Sequence, residues 1–377
     1  MRTNPIVTAD GPEKIGRLNR LRAERLHHLE GLPPRGPGFT AEHQARAALY
    51  DLPVEPVDLP EVDRRDDAAP GPHGDVPVRV YTPRALAAPD AHGRRGAVVW
   101  IHGGAFIFGD LDMPEADHTA ARLAHATGLP VVSVDYRLAV GGVTHPIPHD
   151  DCWAAYEWAR SGGHGLPTDP GLVIVGGGSA GACLAASVAL HGRDAGEGAA
   201  GVFLAYPLVH YPLPEPSAEL AAVLADLPPL LHAGAAASKT QNDALMAQLL
   251  GPAMTGVEHF DYALPGSATS LAGYPRTYIE NCEADELRAS GERFAAQLEE
   301  AGVDVESHTV PGETHGHLSV PRSADGEGHL RPLRRLHRRR RRRPPPPTAA
   351  TARARLDAEP WKETHEHRSR PRLGPRH

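Results

Sequence analysis

The sequence predicts an α/β fold with a mostly parallel central sheet and helices on both faces. The runs at 97–101 and 129–134 are apolar at nearly every position, as expected for parallel strands that are buried on both faces. Such runs alternate with helical patterns through the middle third of the chain, which is typical of parallel strands joined by helical crossovers. Residues 172–181 add the pattern of a strand, a sharp turn and a helix.

The segment before the first predicted strand is expected to form an accessory layer. Helical patterns at 13–29 and 40–49 flank a run that is rich in Pro and Gly. We expect residues 1–70 to form a helical cap or lid region, with a Pro- and Asp-rich connection over 53–74. Val76–Tyr81 then alternates between apolar and polar side chains, which predicts an edge strand.

The main domain is predicted over residues 75–320. After the edge strand, the patterns predict strands at 97–101, 129–134, 172–178, 201–206, 276–281 and 303–310, and helices at 115–127, 150–160, after 179 and over 287–298. Residues 207–273 are irregular and rich in proline, with a helical pattern near 242–250. We expect this insertion to shape a substrate pocket.

The charge distribution separates a body from a tail. The whole chain of 377 residues has a formal charge of −8, but the residues from Arg322 onward include 17 basic and 6 acidic residues, a net +11. The acidic body argues against nucleic-acid binding, which requires clustered Lys and Arg. The tail at 322–377, with six consecutive arginines at 338–343, is predicted to be disordered. Its abrupt onset also fits translation from a shifted reading frame.

The remaining composition indicates the compartment. Cys152, Cys183 and Cys282 are odd in number and lack CxxC spacing, so neither a disulfide framework nor a zinc site is indicated. The N-terminus has no apolar signal region, and no apolar run approaches the length of a membrane span. We expect a soluble, cytoplasmic protein, and the sequence leaves a homodimer open.

Ser179 is the candidate nucleophile. It lies in Gly177-Gly-Ser179-Ala-Gly181, the spacing at which a tight turn between a strand and a helix exposes a serine hydroxyl. Gly, Ser and Ala are common in this chain, so the pattern alone is also compatible with a plain glycine turn. The apolar strand pattern before the serine and the helical pattern after it favour the nucleophile.

A nucleophilic serine requires a base, and the base requires an orienting carboxylate. In folds of this kind these groups follow the serine in the order acid, then histidine, each after a later strand. Asp285 is the preferred acid in the loop after 276–281, with Glu283 as its competitor. His315 is the preferred base in the loop after the last strand, with His317 as the alternative.

Backbone N–H groups are also required, to stabilise the negative charge that develops on the substrate oxygen. The run His102-Gly-Gly-Ala-Phe106 follows a buried strand, and its glycines let the backbone approach a substrate closely. The candidate donors of this oxyanion hole are Gly103, Gly104, Ala105 and Ala180.

Together these motifs resemble the hormone-sensitive-lipase-like branch of the α/β-hydrolases, over about residues 75–320. The motifs that carry the resemblance are His102-Gly-Gly-Ala-Phe106, Asp135-Tyr-Arg-Leu-Ala139, Gly177-Gly-Ser-Ala-Gly181, Asp285-Glu-Leu-Arg288 and His315-Gly316. The resemblance implies that Ser179 is the nucleophile, His315 the general acid and base, and Asp285 the orienting acid. It also implies that the N-terminal helices cap an acyl pocket.

The chain departs from the family pattern at three places. Ala105 stands where the family usually has a third glycine; it keeps the N–H and adds a methyl group. Gly178 stands where an acidic residue usually precedes the serine, which removes a negative charge beside the nucleophile. The helix that normally follows the catalytic histidine is replaced by the basic tail.

The predicted activity is hydrolysis of carboxylic esters, without a metal or an organic cofactor. Small to medium acyl groups are expected from the family resemblance alone, and amides or carbamates would use the same three side chains. Two other functions are left open by the sequence. One is a catalytically silent member that binds a small ligand under the cap, and the other is a nucleic-acid tether formed by the arginine-rich tail.

Overall fold

The computed structural model of the chain describes residues 59–89, 93, 95–225 and 262–319, with isolated residues between 26 and 46 and between 246 and 251. A 3-10 turn at Leu26–His28 belongs to the isolated residues. The predicted helices at 13–29 and 40–49 and the pattern near 242–250 fall largely outside the described residues, and the tail from Arg322 does so entirely. The helical cap therefore stays a prediction.

Eight strands form a single, mostly parallel sheet. They are β1 (Val62–Ala69), β2 (Val76–Pro83), β3 (Arg95–Ile101), β4 (Val131–Val134), β5 (Thr168–Gly178), β6 (Gly201–Ala205), β7 (Thr277–Ala284) and β8 (Val305–Thr314). Their spatial order is β1-β2-β4-β3-β5-β6-β7-β8. β2 is antiparallel to both neighbours, and all other pairs are parallel. The carboxyl ends of β3 and β5–β8 therefore meet at one edge, where ligands bind in open α/β sheets.

The described residues include five α-helices. They are α1 (Pro114–Thr127), α2 (Ile147–Arg160), α3 (Ala180–Asp194), α4 (Ala218–Ala225) and α5 (Arg288–Glu300). Proline at the first position of α1 is favourable because its fixed φ suits a helix start. The same helix ends at Gly128, whose φ of 70° closes it in the left-handed conformation that glycine adopts without strain.

Side chains of β3 alternate between two hydrophobic clusters, one on each face of the sheet. Val99 and Ile101 pack in the cluster that is covered by α2, α3 and α5. Val98 and Trp100 pack in the cluster that is covered by α1. Because successive side chains of a strand point to opposite faces, a strand with helices on both sides is apolar throughout. The predicted α/β fold is confirmed.

The edge of the sheet differs from the prediction. Val62–Ala69 falls in the expected connection and within the expected cap region, yet it forms β1 and pairs with β2 along its whole length. β2 is therefore an internal strand, and its prediction as the edge strand was wrong. β1 escaped notice because four consecutive residues in it, from Asp63 to Asp66, are exposed, so it has no apolar alternation. Such charges are typical of edge strands.

Two further differences lie near the carboxyl ends of the strands. β7 and β8 run to Ala284 and Thr314, three and four residues beyond their predicted ends. α4 forms within the insertion at 207–273, where the sequence indicated no helix before 242. Leu220 of this helix is fully buried, and Glu219 forms an ion pair with Arg288 at 2.8 Å.

Two general features complete the fold. Cys152, Cys183 and Cys282 are buried and free. Among the helices in the described part of the chain, none combines the length and the apolar character that crossing a bilayer requires.

Candidate active site

Ser179 occupies the sharp turn between β5 and α3. Its backbone has φ 54° and ψ −118°, a conformation that is strained for a residue with a side chain. Two glycines permit this turn. A Cβ at Gly177 would lie 2.3 Å from the carbonyl oxygen of Gly181, and a Cβ at Gly181 would lie 2.1 Å from that of Ile101. The strand, sharp turn and helix predicted for 172–181 are present.

The structure brings Ser179, His315 and Asp285 into one hydrogen-bonded chain. His315 Nε2 lies 2.9 Å from Ser179 Oγ, and His315 Nδ1 lies 2.8 Å from Asp285 Oδ2. Each residue directly follows the carboxyl end of a strand: β5, β8 and β7 respectively. Residues that are 136 positions apart in sequence therefore meet because their strands are parallel members of one sheet.

The surroundings of this hydrogen-bonded chain favour the positively charged form of the His315 imidazole. The Asp285 side chain is fully buried, and its Oδ1 accepts the N–H of Leu287 at 3.0 Å. Burial by itself lowers the pKa of His315, but the charge of Asp285, its hydrogen bond and the charge of Glu115 together raise that pKa above its usual value. Asp285 therefore stabilises the protonated imidazole of His315.

The alternative residues bind elsewhere. Glu283 Oε2 accepts the N–H of Gly312 at 2.6 Å, which ties the ends of β7 and β8 together. His317 Nε2 lies 2.9 Å from Glu280 Oε1, and its Nδ1 lies 3.3 Å from the sulfur of Cys282. Of the candidates for acid and base, Asp285 and His315 are the ones that form a chain with Ser179.

The loop after β3 supplies two of the predicted oxyanion donors. Gly104 and Ala105 have φ values of 107° and 51°. A Cβ at residue 104 would lie 1.9 Å from the carbonyl oxygen of Phe108, so that position requires glycine. Within the described segments, the N–H groups of Gly104, Ala105 and Ala180 donate to no protein acceptor. These groups are available to a substrate oxygen.

Gly103 differs from the other three predicted donors. Its N–H donates to Oε1 of the buried Glu115 carboxylate at 2.5 Å, so it already has an acceptor within the protein. Of the four predicted donors, Gly103 is the one whose N–H has a protein acceptor; the role of all four as oxyanion donors stays a prediction. Tyr136, from the Asp135–Ala139 motif, also contacts this loop: its single hydroxyl proton is shared between the carbonyl oxygens of His102 and Gly103, which lie 3.1 and 3.2 Å from the hydroxyl oxygen.

Sequence reasoning missed two residues beside the candidate site. Glu115 is in the first turn of α1 and lies 2% exposed. Tyr206 directly follows β6, and its ring packs edge-on against His315 with 5.1 Å between ring centroids. Neither belongs to a recognised motif. The sequence signal that could have led to Glu115 was Gly178: the acidic residue that is usual there is absent, and a Cβ at that position would lie 2.6 Å from Glu115 Oε1.

Comparison with known proteins agrees with this geometry. A family model described as alpha/beta hydrolase fold matches residues 98–319. Esterase LipI of Mycobacterium tuberculosis is 36% identical over 279 residues, which cover 72% of this chain and 80% of LipI. Carboxylesterase NlhH of the same organism is 35% identical over 301 residues, which cover 75% of this chain and 86% of NlhH.

Solved structures lead to the same family. A hyperthermophilic esterase from the archaeon Pyrobaculum calidifontis superposes with a TM-score of 0.66 at 26% identity, over 90% of this chain and all of that one. A bacterial heroin esterase gives a TM-score of 0.65 at 30% identity, over 85% of this chain and 98% of that one. With this sheet order and these relatives, the chain belongs to the α/β-hydrolase family, in its esterase and lipase branch.

Proposed function

We propose that this protein is a serine carboxylesterase that hydrolyses small to medium acyl esters through an acyl-enzyme intermediate. The observation that carries the proposal is the hydrogen-bonded chain from Ser179 through His315 to Asp285. The names of the relatives, esterase and carboxylesterase, support the reaction class. A cytoplasmic location stays a prediction.

The first half-reaction forms the acyl-enzyme. Ser179 Oγ attacks the ester carbonyl carbon while His315 Nε2 takes the hydroxyl proton. Asp285 accepts the Nδ1–H of His315, which holds the imidazole in the tautomer whose Nε2 is free to receive that proton. The imidazolium then gives the proton to the leaving alkoxide, and the alcohol departs.

The negative charge on the carbonyl oxygen is stabilised by backbone groups. The N–H groups of Gly104, Ala105 and Ala180 are the proposed donors, since they have no protein acceptor in the described segments. One such donor contributes about 3 to 4 kcal/mol to transition-state stabilisation in comparable enzymes. The methyl group of Ala105 does not remove its N–H.

The second half-reaction releases the acid. A water molecule attacks the acyl carbon, and His315 Nε2 now removes a proton from that water. Collapse of the second tetrahedral intermediate breaks the bond to Ser179 Oγ, which recovers its proton from His315. The same three side chains therefore act twice, with the roles of acid and base exchanged.

Turnover of p-nitrophenyl acetate and p-nitrophenyl butyrate tests the proposal. The wild-type protein should hydrolyse both esters, and Ser179→Ala should reduce release of p-nitrophenol to the level of the uncatalysed reaction. Ser187→Ala is the matched control: Ser187 lies buried in α3, the helix that follows Ser179, and donates to Cys183 O, so its loss should leave turnover near the wild-type value.

Two results would overturn the proposal. Equal rates for the wild type and Ser179→Ala would show that the serine is not the nucleophile. A folded wild-type protein without activity on esters of any acyl length would favour the alternative function, a catalytically silent protein that binds a small ligand.

A further inference from the structure

The carboxylate of Glu115 links four parts of the candidate active site. Its Oε1 accepts the N–H of Gly103, in the loop after β3. Its Oε2 accepts the hydroxyl of Tyr206, after β6, at 2.8 Å and the hydroxyl of Ser319, beyond His315, at 3.3 Å. A hydrogen bond from Trp100 Nε1 to the Glu115 backbone oxygen, 2.9 Å long, fixes the start of α1 against β3.

The fourth part is the nucleophile turn, which makes room for this carboxylate. A Cβ at Gly178 would lie 2.6 Å from Glu115 Oε1, and a Cβ at Gly103 would lie 2.8 Å from the same atom. Neither glycine has a φ in the left-handed region, so the need for glycine there comes from space. Residue 178 is where the related family usually has an acidic side chain, and Glu115 places a carboxylate in that space from a different element.

Burial makes these bonds strong constraints. Glu115 is 2% exposed and Tyr206 is fully buried. Loss of a hydrogen bond to a buried carboxylate costs free energy, so the carboxylate holds its three donors, which are Gly103 N–H and the hydroxyls of Tyr206 and Ser319, in place together. Gly103 adjoins the proposed oxyanion donors Gly104 and Ala105, and a small displacement of such donors lowers the rate strongly.

We infer that Glu115 is a positioning residue for the esterase reaction: its carboxylate holds the oxyanion loop against the nucleophile turn and keeps Tyr206 against the ring of His315. This inference rests on the proposed function. Glu115 does not touch the reacting atoms; it acts through Gly103 and Tyr206.

The charge of Glu115 gives the inference a second consequence. The ionisable groups that face His315 are Asp285 after β7, Glu115 on α1 and Tyr206 after β6, and His317 packs on the Tyr206 ring at 5.2 Å between centroids. Burial and the charge of Glu115 raise the pKa of the Tyr206 hydroxyl, which stays a neutral donor. Burial raises the pKa of the Glu115 carboxyl, while the hydrogen bonds from Tyr206 and Gly103 and the charge of His315 act in the opposite direction. In its ionised form Glu115 favours protonated His315, so removal of that negative charge should lower the pKa of His315.

Glu115→Ala tests the positioning role. We expect kcat for p-nitrophenyl butyrate to fall by about 10- to 100-fold with KM changed by less than about threefold, because the loop loses its anchor while the nucleophile and base remain. Asp117→Ala is the matched control. Asp117 is also in the first turn of α1, but it binds Tyr81 of β2 and Arg64 of β1, and its loss should leave kcat unchanged.

Glu115→Gln tests the charge. Glutamine keeps the shape and can still accept the N–H of Gly103, so the loop should stay in place. Loss of activity on the acid side of the kcat/KM profile reports protonation of His315. That limb should move to lower pH in Glu115→Gln and should not move in Asp117→Asn.

A second-site carboxylate provides the rescue. In the double variant Glu115→Ala/Gly178→Asp, a short acidic side chain at 178 would enter the space that Glu115 vacates. We expect the double variant to have a higher kcat than Glu115→Ala, whereas Gly178→Asp alone should lose activity, because a Cβ at residue 178 would lie 2.6 Å from Glu115 Oε1. The same Cβ would lie 2.9 Å from the Tyr206 hydroxyl in both variants, so the comparison between them isolates the clash with Glu115. A role in folding alone would not give this reciprocal pattern.

Each outcome separates the inference from the proposed function. A wild type that fails to hydrolyse esters defeats the proposed function. A wild type that is active, with Glu115→Ala within about twofold of it in kcat, defeats the positioning role. If the acid limb of the kcat/KM profile does not move in Glu115→Gln, the claim that the charge of Glu115 raises the pKa of His315 is defeated. If Glu115→Ala does not fold, Tyr206→Phe, which removes one donor to Oε2 and keeps the ring on His315, should still lower kcat, and an unchanged kcat would overturn the inference.

Discussion

His315→Ala should lower kcat for p-nitrophenyl butyrate by about 10⁵- to 10⁶-fold, as loss of the base does in other serine hydrolases. Its Nε2 is the group positioned to take the proton of Ser179 Oγ, at 2.9 Å. The double variant Ser179→Ala/His315→Ala should be no slower than either single variant, because a serine without its base and a base without its serine are equally ineffective.

Asp285→Asn extends this prediction to the third member of the chain. The amide would favour the wrong imidazole tautomer, and we expect kcat to fall by about 10⁴-fold. Glu283→Gln is the matched control, since Glu283 lies two residues away and binds Gly312 rather than His315. Steady-state kinetics on the wild type, His315→Ala, Asp285→Asn and Glu283→Gln would measure these effects. A larger loss in Glu283→Gln than in Asp285→Asn would mean that the acid has been misassigned.

Gly181→Ala should destabilise the protein by at least about 3 kcal/mol and abolish ester hydrolysis. Its Cβ would lie 2.1 Å from Ile101 O and 2.3 Å from His102 O. Both atoms belong to backbone, which cannot rotate away as a flexible side chain would. Relief of the clash requires α3 to move off the end of β3, and this movement displaces Ser179.

Urea denaturation followed by circular dichroism would measure this loss. Gly198→Ala is the control, because a Cβ at residue 198 meets no atom within 4 Å and the residue does not have a positive φ. That variant should unfold within about 1 kcal/mol of the wild type. A Gly181→Ala protein with wild-type stability would contradict the close packing of the turn against β3.

The central strands and the turn at Ser179 could be predicted because their constraints are local. A strand that ends in glycines and a serine has few ways to continue, and Gly177 and Gly181 are required by contacts within the turn itself. Asp285 and His315 were found from their position after later strands. The sequence preferred Asp285 and kept Glu283 as a competitor, and in the structure β7 continues to Ala284, so that Asp285 lies beyond the end of the strand and Glu283 within it.

The contribution of Glu115 could not be predicted because its contacts are distant in sequence. Its side chain meets Gly103, Tyr206 and Ser319, which are 12, 91 and 204 residues away. A glutamate in a first helical turn is usually explained by the helix dipole, and nothing in its neighbours marks it as buried. β1 was missed for the opposite reason: its charged side chains are those of an exposed edge, so it lacks the apolar pattern by which strands are recognised.

Labelling with a fluorophosphonate, followed by mass spectrometry of the peptides, tests the central claim most directly. The reagent phosphonylates a serine only when a base activates the hydroxyl and backbone donors receive the oxyanion. We predict one adduct per chain, on the peptide that contains Ser179, and none in Ser179→Ala or His315→Ala. An adduct on another serine, or equal labelling of the wild type and His315→Ala, would contradict the account.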